Sequence, residues 1–142
     1  MRFQSELPEK AGSLRVIAGS YRDTRGPAAT FTPVDLWELR LNAGKGTLLE
    51  LPEGHTTALF VLKGNIRVNG ATSVRAAEFV AFERDGQAIR VDADSEATVL
   101  VLSGKPIDEP VVGYGPFVMN TPAEIHRAIE DYRSGKMGHI GA

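Results

Sequence analysis

The feature that most constrains this chain is its punctuation. With 15 glycines and 8 prolines in 142 residues, it is broken into short segments rich in Val, Leu, Ile and Phe. The segments 14–19, 34–41, 46–51, 57–64, 65–70, 78–83, 87–93 and 97–104 all read as strands. Side chains alternate between the two faces of a strand, so a half-buried strand alternates apolar with polar. That pattern is plain over residues 35–41, where Trp37, Leu39 and Leu41 share a face, and again in Ile89-Arg90-Val91-Asp92. Gly44, Gly46, Gly54, Gly64, Gly70 and Gly86 fall between segments, where a turn needs a residue that adopts positive φ cheaply. Many short strands separated by turn signals predict an all-β sandwich or barrel.

The C-terminal part follows a different rule. Ile125, Ala128, Ile129 and Tyr132 lie at helical spacing, which predicts a helix over residues 122–134. Its start is written as Thr121 at the N-cap, Pro122 in the first turn and Glu124 completing a capping box. Gly135 supplies the stop. A helix this short is marginal alone, so its apolar face is expected to pack on the barrel or on a second subunit. The stretch Gly113-Tyr114-Gly115-Pro116-Phe117-Val118-Met119-Asn120 reads as a fixed turn leading into that helix. It is expected to be a structural clasp, with Tyr114 and Phe117 as buried anchors beside Pro116 and Asn120.

A chain of 142 residues suits one domain. The expected division is an N-terminal arm over 1–13, a barrel over 14–104, the clasp loop over 105–121 and the helix over 122–134. There is no cysteine, which removes disulfides, thiolate metal sites and thiol nucleophiles together. Net charge is −2 with no basic stripe, so direct binding of nucleic acid is not expected. No apolar run approaches the length of a membrane span or signal peptide, and a cytoplasmic location is expected.

The residues offer little catalytic chemistry. A transition-metal site without thiolates needs clustered His and carboxylate ligands. His55, His126 and His139 are far apart, with no His-x-His pair. His55, at the start of a strand, is read as a barrel-rim residue, with a metal-ligand role the weaker alternative. No serine sits in a nucleophile motif, so no catalytic residue is assigned. If a small molecule binds, the barrel interior is the expected place. Alternation nominates Trp37, Leu39, Ala58, Phe60, Phe82 and Leu100 as inward, with His55 at the rim and Arg90 as a polar anchor.

Four stretches carry a resemblance to a known family: 15–36, 49–70, 100–121 and 124–138. Together they resemble the C-terminal half of a pirin, in the cupin superfamily. The run Gly104-Lys105-Pro106 through Asp108-Glu109-Pro110 to Tyr114-Gly115-Pro116-Phe117-Val118-Met119-Asn120-Thr121 is the most specific part. The resemblance implies a cupin fold, a double-stranded β-helix or jelly-roll barrel, with one C-terminal α-helix. A full pirin has two such barrels and its iron-type site lies in the N-terminal one. Laid on that barrel's metal hairpin, the ligand positions fall on Glu50, Pro52, Arg90 and Asp92. Neither proline nor arginine can ligate a cation. Arg90 with the two carboxylates is expected to form a salt bridge across the barrel mouth instead.

The resemblance therefore implies a cupin without a metal site and with no cofactor. It would act as a non-catalytic binding or interaction module. It would work as a homodimer, with residues 1–20 and 111–134 as the expected interface, or with a separate pirin-type barrel. The alternative is a metal-dependent dioxygenase of the quercetinase type, which would require Fe(II) or another divalent metal.

Overall fold

In the computed structural model, residues 2–141 are described. The chain divides into two compact units, Met1–Pro106 and Ile107–Ala142. The elements in chain order are β1 (Gln4–Glu6), β2 (Gly12–Ala18), β3 (Ser20–Tyr21), β4 (Thr24–Arg25), β5 (Val34–Leu41), β6 (Gly46–Glu50), β7 (Thr56–Lys63) and β8 (Asn65–Val68). They continue with β9 (Thr72–Arg75), β10 (Phe79–Ala81), β11 (Ala88–Ala93), β12 (Ala97–Gly104), β13 (Val112–Tyr114), β14 (Phe117–Met119) and α1 (Pro122–Arg133).

The first unit is two antiparallel sheets enclosing one core. One sheet has six strands in the order β1-β2-β5-β12-β7-β10; the other has four, β6-β11-β8-β9. Alternation places the core. Trp37, Leu39 and Leu41 of β5 face inward, opposite Val16 and Leu14 of β2 and Val101, Val99 and Ala97 of β12. From the other sheet Leu49, Ile66, Val68, Val74, Ile89 and Val91 close the same cluster. Each fully buried Leu or Val removes enough apolar surface to favour folding by about 1.5–3 kcal/mol.

Gly64 links β7 to β8 with φ of 80°, and a Cβ there would stand 2.2 Å from the Glu96 carbonyl oxygen. The chain thus needs glycine at that turn both for its backbone and for its space. At the core's edge Trp37 meets Tyr21 edge to face, with centroids 5.2 Å apart.

The structure corrects one boundary and one set of inward residues. The expected arm over 1–13 is part of the sheet. Gln4, Ser5 and Glu6 pair with Arg15, Leu14 and Ser13, and Leu7 and Ala11 are buried in the core. Leu7 and Ala11, flanking the short turn at Pro8–Lys10, fix the segment to the barrel. The inward set also needs revision. Ala58, Phe60 and Leu100 lie on the outer face, while Leu59, Val61, Val99 and Val101 point in. Strands β7 and β12 are apolar on both faces, so alternation there cannot set the phase.

The second unit is the β13–β14 hairpin followed by α1. The helix begins as its sequence requires: Glu124 N–H donates to Thr121 Oγ1, and Thr121 N–H donates back to the Glu124 carboxylate. Within this unit Ile125 and Ala128 are buried, whereas Tyr132 is exposed. The clasp is a hairpin, and Tyr114 is not its anchor, being 69% exposed at the turn. Asn120 holds it instead, its side-chain amide donating to the Pro110 carbonyl at 2.8 Å. Phe117 is half-buried and Pro116 sits in the turn between the strands.

Candidate functional site

The loops after β6 and before β11 form the mouth of the barrel. Three backbone bonds lace them to each other and to β7: Leu51 N–H to Gln87 O (2.8 Å), Gly54 N–H to Arg84 O (3.0 Å) and Phe82 N–H to Thr57 O (3.0 Å). They frame a cavity of about 200 Å3. Leu51, Phe82 and Ile89 give it apolar walls, and His55, Thr57 and Arg84 contribute polar groups.

The polar groups are ordered by strand register. Thr57 of β7 pairs with Ser103 of β12, both facing inward and buried at 6% and 3% exposure. Thr57 Oγ1 donates to Ser103 Oγ at 3.1 Å. Ser103 Oγ also lies 3.3 Å from His55 Nδ1. Since Ser103 accepts from Thr57, its own proton is available for His55 Nδ1. The other ring nitrogen, Nε2, has no hydrogen-bond partner among the described residues. The mouth therefore offers a positioned, unpartnered imidazole nitrogen beside apolar walls, a means of binding a polar group.

Of the residues nominated from sequence, His55, Phe82 and Pro52 line this cavity. Trp37 does not: it is 2% exposed inside the core, with its ring N–H unpartnered. Phe60 lies on the outer sheet face. Arg90 is on the outside of the four-stranded sheet, because Ile89, Val91 and Ala93 take the inward positions of β11. Ser103 and Thr57 were not nominated. Their signal was a lone hydroxyl at the inward position near the end of an otherwise apolar alternation, which marks the wet end of a barrel strand.

The positions expected to correspond to metal ligands do not meet at the mouth. Glu50, Arg90 and Asp92 project from the outer face of the four-stranded sheet, and Pro52 is an exposed turn residue. The expected salt bridge forms there rather than across the mouth, and Glu50 is not in it. Arg90 donates from Nε and Nη2 to Asp92 Oδ1 at 3.0 and 2.8 Å. That hydrogen bond, with the charge of Asp92, raises the Arg90 pKa above its ordinary value. Among the described residues no three His, Cys, Asp or Glu side chains cluster closely enough to hold a metal ion. A divalent iron site of the oxygenase kind needs such a set, so the donor groups here do not fit one.

Two antiparallel sheets closed around one core, with a polar mouth at one end, define a cupin barrel. Comparison with known proteins gives the family. The Pirin C-terminal cupin domain family matches residues 36–138, and the chain belongs to it. A Pseudomonas aeruginosa protein named "Putative quercetin 2,3-dioxygenase PA2418" is 48% identical over 130 residues, covering 92% of this chain and 45% of that protein. Mouse pirin is 32% identical over 140 residues, covering 95% of this chain and 48% of its own. The crystal structure of a quercetin 2,3-dioxygenase from Acinetobacter baumannii superposes with a TM-score of 0.89 at 43% identity, over 97% of this chain and 48% of that one. The chain thus spans about half the length of the relatives it matches. No helix among the described residues is long and apolar enough to cross a membrane.

Proposed function

We propose that this chain is a binding module of the pirin family that works without a resident metal, in the cytoplasm, as one barrel of a two-barrel assembly. The second barrel is another copy or a separate pirin-type N-terminal barrel. The observation that carries the reading is the mouth itself, where a Thr57–Ser103–His55 hydrogen-bond chain supplies the polar groups and no three His, Cys, Asp or Glu side chains cluster among the described residues. Size supports it too. A cavity of about 200 Å3 is below the ~300–1,000 Å3 of sites for drug-sized ligands, which favours a small polar molecule over a three-ringed flavonol.

The dioxygenase names belong to proteins about twice as long as the matched segment. Such an activity would draw on residues outside this chain, and its own donor groups give it no metal site.

The test is a titration of the purified chain with Fe(II), Mn(II) and Ni(II), followed by an assay of quercetin loss. Neither near-stoichiometric metal nor quercetin turnover is expected. One tightly held metal per chain, released by His55→Ala, would overturn the reading.

A further inference from the structure

The charges at the barrel mouth are unequal. The two loops that form it, residues 51–55 and 82–87, carry three carboxylates, Glu53, Glu83 and Asp85, against one guanidinium, Arg84. Glu83, Arg84 and Asp85 line the cavity. Glu53 accepts at 3.5 Å from the side-chain amide of Gln87, which lines it too. Among the described residues none of these four charged groups is in an ion pair. The charges at the same ends of β2, β5 and β12 do not line the cavity: Asp35, Lys105, and Arg22, Asp23 and Arg25 of the β3–β4 hairpin.

The apolar walls of Leu51, Phe82 and Ile89 have a low dielectric constant, which focuses the field of the lining charges into the cleft. That field is negative. It concentrates cations and opposes a carboxylate or phosphate. A bare metal ion gains little from it, because among the described residues no three His, Asp or Glu side chains cluster closely enough to chelate one. An organic cation needs no such cluster. An ammonium group spreads its three donors over separate acceptors, and its carbon stem lies on the apolar walls. Phe82 adds an aromatic ring, whose face attracts a cation. His55 suits the same ligand: its contact with Ser103 is compatible with either ring tautomer, so the free Nε2 can accept.

We propose that the mouth binds a small organic cation, a primary amine on a short apolar stem. The proposal rests on the small-molecule reading above and names its ligand class. A cavity of about 200 Å3 admits a stem of a few carbons.

The test uses three probes with one stem and different heads: n-butylammonium, n-butanol and n-butyrate, each titrated into the chain at neutral pH and low salt. Proton–nitrogen correlation spectra report binding through the amides of residues 51–57 and 82–89. n-Butylammonium should bind about tenfold or more tightly than n-butyrate, with n-butanol between them, and the difference should shrink with added salt. The double variant Glu83→Gln/Asp85→Asn changes two exposed loop positions and should abolish the preference while leaving the rest of the spectrum in place. Equal or tighter binding of n-butyrate or n-butanol at the mouth overturns the cationic ligand and leaves the small-molecule reading standing. A preference that persists in the double variant overturns the assignment to these carboxylates. A mouth that responds to none of the three overturns the ligand class and the small-molecule reading together.

Discussion

Replacing Ser103 by alanine tests whether the barrel mouth is held by its hydroxyl chain. The substitution deletes a single oxygen, so little packing is lost. What is lost is the acceptor for Thr57 Oγ1, at 3.1 Å, and the partner of His55 Nδ1, at 3.3 Å. A buried polar group left without a partner costs about 1–3 kcal/mol. Thr57 borders the mouth cavity, where water can take over part of the lost bond, and this places the cost of Ser103→Ala at about 1–2 kcal/mol. Thr57→Val keeps the shape, leaves Ser103 bonded to His55, and should cost about 0.5–1 kcal/mol. In the double variant no hydroxyl is orphaned at position 57, so its cost should fall short of the sum of the singles by about 1 kcal/mol. Urea unfolding of the four proteins measures this, with an unchanged m-value showing that the same transition is compared. A loss under ~0.5 kcal/mol for Ser103→Ala, or additivity within ~0.3 kcal/mol, would refute the network.

Two further predictions concern the fold. Gly64→Ala should be clearly more destabilising than Gly54→Ala in the same assay. Both glycines have positive φ, which costs an L-residue about 1–2 kcal/mol, but only at position 64 does the new Cβ meet backbone, 2.2 Å from Glu96 O. Equal losses would mean that the turn relaxes away from Glu96. The hydrogen bond from Lys63, followed by its charge, lowers the Glu96 pKa below the ordinary glutamate value of 4.5. A depressed carboxylate stabilises above its unfolded pKa and loses that contribution as pH falls through the folded one. The stability difference between the parent and Glu96→Gln should therefore shrink on acidification below 4.5 and with added salt. A difference that stays constant with pH would assign it to packing.

Where one face of a strand is buried and the other wet, the sequence could be read directly. The segment 34–41 is β5 to the residue, because alternation and flanking turns agree, and 97–104 is β12 on its composition and flanking turns alone. The capping box of α1 was equally plain in Thr121 and Glu124. Three kinds of feature were not. The short strands β1, β9, β13 and β14 carry too few residues for a period, and only their pairing partners make them strands. The phase of β7 and β12 was hidden by their being apolar on both faces. The mouth was obscured for a different reason. Alternation in Ile89-Arg90-Val91-Asp92 already turned Arg90 and Asp92 outward, and a register taken from the metal hairpin of the family overrode it. Ser103 and Thr57 were missed because a small hydroxyl on a strand is ordinary until two of them pair across strands under a histidine.

Trp37 is the only tryptophan in the chain and lies in the core of the first unit, while α1 lies in the second. Each unit thus carries its own optical label. Emission from an indole held dry against Tyr21 shifts to the red only when the sheets part. Helical ellipticity fades only when Pro122–Arg133 unwinds. Overlaying the two melting curves of one sample measures how far residues 107–142 share the cooperativity of the barrel, without any label being introduced.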